Sequence, residues 1–189
     1  MTDKAEDRFR ELVLCHLDLV YRLAVKLCGN AHQAEDLVQE TFLRAHRGFD
    51  SFQLREYGAK PWLLKILYNA FFSSRSETQR SPTLLADLGL DDLPADFGAD
   101  TTVLTPEAMN WEGFDEELKR AVERLAPEYR AVILLWAIGD LSYKEIGQVL
   151  DCAIGTVMSR LHRARQQLSE QLADYAERRG LKKAPDIES

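Results

Sequence analysis

The sequence predicts an all-α fold: two small helical domains joined by an acidic linker, the C-terminal one containing a helix-turn-helix. Three observations carry this reading. Apolar residues recur at helical spacing through residues 5–80 and again from about Phe114 to Arg179. No strand-like alternation persists, and there is no internal repeat. Between the two periodic blocks, residues 81–114 hold Pro82, Pro94, Pro106, several glycines and only isolated apolar side chains. From Ser81 to Leu118 there are ten acidic residues and no Lys or Arg, a composition that cannot bury a core alone and suits a tether. The expected organisation is a domain over 1–80, a flexible acidic linker over 81–114, a second domain over 115–180 and a polar tail over 181–189.

The totals exclude several classes. With 46% hydrophobic and 29% charged residues, the 189-residue chain reads as folded rather than disordered. No apolar run approaches the roughly 20 residues of a membrane span. The opening MTDKAEDRFRELV lacks the order of a signal peptide, so a cytoplasmic location is expected. A formal net charge of −7 argues at first against nucleic-acid binding. The acidity is concentrated in the linker, however, and residues 44–80 carry seven Lys/Arg against three acids. Cys15, Cys28 and Cys152 form no C-x-x-C pair, which disfavours both a disulfide scaffold and a zinc site. Cys28 and His32 are four apart, but no second ligand pair follows, so ordinary packing is the better reading. No phosphate loop, nucleophile motif or H-E-x-x-H is present. Neither enzyme activity, cofactor, metal nor small-molecule substrate is expected.

In the first block, AEDLVQETFLRAH (34–46) puts Ala34, Leu37, Val38, Thr41 and Ala45 on one helix face, which should pack inward. Asp36, Gln39, Glu40 and Leu43 lie opposite, and Arg47 continues that face. An apolar centre with an acidic rim is what a helix-docking patch for a protein partner needs, although single exposed leucines are common. KPWLLKILYNAFFSSRS (60–76) opens with Pro61, suited to a first helical position. Leu63, Ile66, Leu67 and Ala70 form the inward stripe, while Lys65, Tyr68, Asn69, Phe72 and Arg75 occupy the other face. Exposed aromatics among bases suit single-stranded DNA, because rings stack on bases and cations follow phosphates. The competing reading places Tyr68 and Phe72 under a neighbouring helix. Trp62 fits either the core or this surface.

In the second block, LKRAVERLAPEYRAVILLWAIGDLS reads as two helices joined at Ala126–Pro127. Leu118, Val122, Leu125, Val132, Ile133, Leu135 and Trp136 are read as core. Ser142 and Glu145 then form an S-x-x-E capping box, and Ile146, Val149 and Leu150 supply an apolar stripe. The stretch Asp151–Gly155 breaks the pattern, and a second helix starts near Gly155 or Thr156. Two helices with a short turn match the helix-turn-helix, whose second helix enters the major groove. At about 100° per residue, Val157, Leu161, Ala164 and Leu168 face inward. Ser159, His162, Arg163 and Gln166 lie opposite, flanked by Thr156 and Arg160 on one edge and by Met158 and Arg165 on the other. Arg163 can make paired hydrogen bonds to guanine or reach phosphate, and Ser159 and Thr156 suit either target. A solvated basic face on a helical hairpin is the alternative; the capping box and the turn favour DNA binding.

Taken in order, AEDLVQETFLRAHRGFDSF, PWLLKILYNAFF and LSYKEIGQVL…GTVMSRLHRARQQL resemble bacterial RNA polymerase sigma factors of the extracytoplasmic-function (ECF) group. The resemblance covers about residues 9–80 and 115–175. It implies a promoter-specificity subunit whose partners are core RNA polymerase (beta-prime clamp helices and beta flap), promoter DNA and, commonly, an anti-sigma factor. It implies that the face bearing Asp36, Gln39, Glu40, Leu43 and Arg47 docks on the clamp helices. The loop of about residues 48–60 and the helix bearing Trp62, Lys65, Tyr68, Asn69 and Phe72 correspond to the part that reads and melts the minus-ten element. Thr156, Met158, Ser159, Arg160, His162 and Arg163 fall where the family reads the minus-thirty-five element. The linker resembles the segment that threads toward the polymerase active centre, where negative charge suits channels built for nucleic acid.

The chain departs from the family pattern in four places. Met158 stands where Lys or Arg is usual, and Ala153 where a capping serine is frequent. His162 occupies a variable position, and Tyr68–Ser76 holds fewer bases than is usual. These changes bear on promoter sequence and strength rather than on class. The runner-up is a stand-alone helix-turn-helix regulator, which leaves the 34–47 face and the Tyr68/Phe72 stripe unexplained. An antagonist that mimics a sigma factor is disfavoured by Arg160 and Arg163.

Overall fold

The computed structural model describes residues 3–54, 58–78 and 116–173, and all regular structure among them is helical. The predicted linker (81–114) and tail (181–189) lie outside the described residues, as does the helical extension expected beyond 173. The first half comprises α1 (Asp3–Leu12), a 3-10 turn (Leu14–His16), α2 (Leu17–Cys28), α3 (Ala31–Gly48), a second 3-10 turn (Phe49–Ser51) and α4 (Lys60–Thr78). The second half comprises α5 (Glu116–Arg124), α6 (Pro127–Ala137), α7 (Tyr143–Leu150) and α8 (Ile154–Gln171).

Local chemistry sets these boundaries. α2 stops at Gly29, whose φ of 69° is open to glycine and strained for other residues. Asn30 then accepts the Gln33 N–H at 3.2 Å and starts α3. Pro127 opens α6, where its missing N–H has no intrahelical partner to lose. Both halves of the predicted capping box are made on α7: the Glu145 N–H donates to Ser142 Oγ at 3.3 Å, and the Ser142 N–H donates to the Glu145 carboxylate at 2.8 Å. α7 ends at Asp151 in the left-handed region, with the Cys152 N–H donating to the Gly147 carbonyl at 3.0 Å. A Cβ on Gly147 would lie 2.9 Å from the Cys152 carbonyl oxygen, so the tight turn between α7 and α8 requires glycine there.

The inward stripes match the periodicity. Ala34, Leu37, Thr41 and Ala45 of α3 are buried, as are Val157, Leu161, Ala164 and Leu168 of α8. Thr41 is accommodated because its hydroxyl donates to the Leu37 carbonyl at 2.7 Å. α4 differs from expectation. Besides Leu63, Leu67 and Ala70, it buries Leu64 and Phe71, whereas Ile66 is only half-buried. The reason is that α4 is packed on two sides, against α3 and against α7.

The two halves therefore share one continuous apolar core rather than standing apart. Leu23 and Leu27 of α2 and Leu64 and Leu67 of α4 meet Ala131, Leu134 and Leu135 of α6 around a small apolar cavity. Polar contacts cross the same junction: Lys60 Nζ donates to the Asp140 carbonyl at 3.2 Å, and Arg130 of α6 donates to the Leu27 carbonyl at 3.2 Å.

Candidate protein-docking and nucleic-acid interfaces

α3 turns Asp36, Gln39, Leu43 and Arg47 to solvent, with Glu40 half-buried among them. Leu43 is 46% exposed and forms the apolar centre of that face. Glu40 accepts a 2.6 Å hydrogen bond from Arg44 Nε one turn on, which fixes its carboxylate and offsets part of its charge. Arg44 was not singled out from the sequence, although Glu four residues before Arg is a recognisable signal for such a pair. All five expected residues thus occupy one side of one helix.

On α4 the structure answers the question left open at Trp62. Its ring lies 4.5 Å from that of Phe52, which stacks on Phe49 at 5.8 Å; Phe49 in turn meets Phe9 edge-on at 5.1 Å. Trp62 therefore ends an aromatic row that braces the 49–52 turn, and it remains half-buried. Asn69 is exposed and Lys65 half-buried, with Lys65 Nζ 3.9 Å from Asp151 at the helix-turn-helix turn. The Tyr68 and Phe72 rings lie 4.4 Å apart, tilted by 41°, and Phe72 meets Phe71 edge-on. The open aromatic face expected from the periodicity is not present here: both rings are half-buried, Tyr68 beside Ala131, Leu134 and Leu135 of α6 and Phe72 against its α4 neighbours. Burial pushes the Tyr68 phenol up, opposed by the nearby Arg160 guanidinium.

On α8, His162 is exposed, while Thr156, Met158, Ser159, Arg160 and Arg163 are half-buried. The Ser159 hydroxyl is engaged with the Thr156 carbonyl at 3.1 Å. The Arg160 Nε is buried without a hydrogen-bond partner, close to Cys152 and Tyr68. Arg165 does not line the outer edge. Its guanidinium lies 4.2 Å above the Trp136 ring and bonds the Tyr143 side chain, so it fastens α8 to α6 and α7. Trp136 is the half-buried floor of that contact. Ala153, at the N-cap of α8, makes no side-chain cap, and the Thr156 N–H instead closes a turn onto the Ala153 carbonyl at 3.0 Å. Cys15 is exposed, and Cys28 and Cys152 are half-buried.

Residues 12–81 match the family model Sigma-70 region 2, and residues 115–168 match Sigma-70, region 4. The chain is 39% identical over 168 residues to the ECF RNA polymerase sigma factor SigE of Mycolicibacterium smegmatis, covering 88% of this chain and 62% of that protein. It is 34% identical over 173 residues to SigW of Bacillus subtilis, covering 89% of this chain and 91% of that one. The sigma factor RpoE of Bartonella quintana, solved in complex with the anti-sigma factor NepR, aligns with a TM-score of 0.63 and 31% identity over 88% of this chain and 97% of that one. The chain belongs to the ECF RNA polymerase sigma factors. A stand-alone regulator is not favoured, because the region 2 match accounts for the half of the chain that such a protein would not need.

Proposed function

We propose that the chain is the promoter-specificity subunit of a bacterial RNA polymerase: it binds core enzyme in the cytoplasm, carries it to promoters and assists strand opening, catalysing no reaction itself. Asp36, Gln39, Glu40, Leu43 and Arg47 dock on the beta-prime clamp helices, where a desolvated leucine supplies affinity and the charged rim supplies register. Trp62, Lys65, Tyr68, Asn69 and Phe72 engage the minus-ten element. Stacking of unpaired bases on Tyr68 and Phe72 contributes about 1–3 kcal/mol per base, which offsets the unpairing of the duplex. Thr156, Met158, Ser159, Arg160, His162 and Arg163 read the minus-thirty-five element from the major groove, with the beta flap holding this domain. Met158 replaces a phosphate contact by an apolar surface suited to a thymine methyl. An anti-sigma factor is the expected antagonist, in keeping with the NepR-bound relative.

The observation that carries this reading is the presence, in order on one chain, of a region 2 match and a region 4 match. Run-off transcription with purified core polymerase on a pool of genomic promoters tests it. Transcripts that start at discrete sites only when the chain is added are expected. If no template gives one and the chain fails to bind core, the reading is wrong.

A further inference from the structure

The first turns of α8 carry an apolar edge that its arginines do not explain. Ile154 is the first residue of the helix and is 52% exposed. Met158, one turn further on, is half-buried, and His162, a turn beyond that, is exposed. At about 100° per residue these three stand along one edge, clear of the buried stripe of Val157, Leu161, Ala164 and Leu168. A single exposed apolar side chain is ordinary on a protein surface. Two at successive turns, at the start of the second helix of a helix-turn-helix, occupy positions that meet base edges.

The structure also withdraws the cation that helical periodicity puts on this edge. The Arg165 guanidinium lies 4.2 Å over the Trp136 ring, bonds the Tyr143 side chain and has its Nε buried. Arg160 and Arg163 stand on the far side of the helix. The Ile154–Met158 edge therefore offers DNA no strong hydrogen bond and no charge. Pressed against most base pairs, it would strip water from donors and acceptors without replacing it. One apolar group is presented in the major groove, the C5-methyl of thymine. The spacing fits as well. Side chains four apart on a helix sit about 5–6 Å from one another, and bases along a strand rise about 3.4 Å per step. The two side chains thus span one to two base steps.

We infer that Ile154 and Met158 are a paired specificity determinant: together they read the C5-methyl groups of two thymines, within two base pairs of each other, in the minus-thirty-five element. This rests on the proposal that α8 reads that element from the major groove. Arg165 acts as a positioning residue, holding its own charge off the edge so that the two apolar side chains reach the methyls.

The test uses polymerase holoenzyme assembled with the full chain and a fluorescein-labelled promoter duplex that supports run-off transcription. Each thymine of its minus-thirty-five element is replaced in turn by deoxyuridine, which deletes the methyl and keeps every hydrogen-bonding group. Two thymines within two base pairs should each show binding weakened about fourfold, the factor that burial of one CH₂-sized group supplies. This arm needs no protein variant. Met158→Arg should then abolish the deoxyuridine penalty at one of the two positions, and Ile154→Ser at the other. An element lacking such a pair of thymines would overturn the inference, as would penalties that persist in full in both variants. If deoxyuridine has no effect while Arg163→Ala still weakens binding, α8 reads the element through other contacts and the methyl assignment alone fails. If neither Arg163→Ala nor any base change in the element alters binding, the placement of α8 on the promoter fails and the inference falls with it.

Discussion

Leu43 and Arg163 are the residues whose roles are most separable. Leu43 stays exposed on a face whose other members are polar, so its side chain holds no part of the core. Leu43→Glu or Asp36→Arg should leave the thermal transition within about 0.5 kcal/mol of wild type. Binding to core polymerase in a pull-down should nevertheless fall at least tenfold; unchanged capture would remove this face from the interface. Arg163→Ala should cost about 1–3 kcal/mol at cognate promoters if the side chain reads a base. An equal loss on every sequence, seen by fluorescence anisotropy, would mark a phosphate contact instead. Both residues were legible in the sequence because helical periodicity fixes which face a side chain occupies. Arg165 was not, since the same periodicity cannot show a guanidinium folding back over Trp136. Arg130 escaped notice for a related reason: an arginine within an apolar run becomes informative only once the helix ends it caps are known.

At the scale of elements, the helix-turn-helix is specified by a few residues whose chemistry is local. Ser142 and Glu145 cap α7, Gly147 admits the Cys152 carbonyl, and Asp151 takes the left-handed turn. Ser142→Ala should destabilise the chain by about 1 kcal/mol, measured by urea unfolding with unchanged m-value. A loss well under 0.5 kcal/mol would mean that tertiary packing, rather than the cap, holds the start of α7. Such caps, the proline at the start of α6 and the stripes of α3 and α8 could all be read in advance. α4 could be read only in part. Its sequence is apolar on more than one side, and a single stripe had to be chosen. The structure buries Leu64 and Phe71 as well, because a second partner lies on the far side. Tyr68 is less exposed than expected for a related reason: periodicity identifies a face but does not say what lies against it, here Ala131 and Leu134 of α6.

At the scale of the whole molecule, charge accounting separated an acidic linker from two helical halves. That partition made a nucleic-acid role compatible with a net charge of −7. The packing of one half on the other was not legible, because residues that meet across it, such as Leu67 and Leu135, read as ordinary core of their own helices. What unites the levels is the proposed division of labour: the open α3 face for core polymerase, and α4 and α8 for promoter DNA. Permanganate footprinting of promoter DNA tests that division most directly, since it reports unpaired thymines. With core polymerase and the chain together, thymines around the minus-ten element should become reactive, and Tyr68→Ala with Phe72→Ala should abolish that reactivity while core binding persists. Protection of a duplex operator by the chain alone, with no reactive thymine when core is present, would contradict the account and point to a self-sufficient duplex-binding regulator.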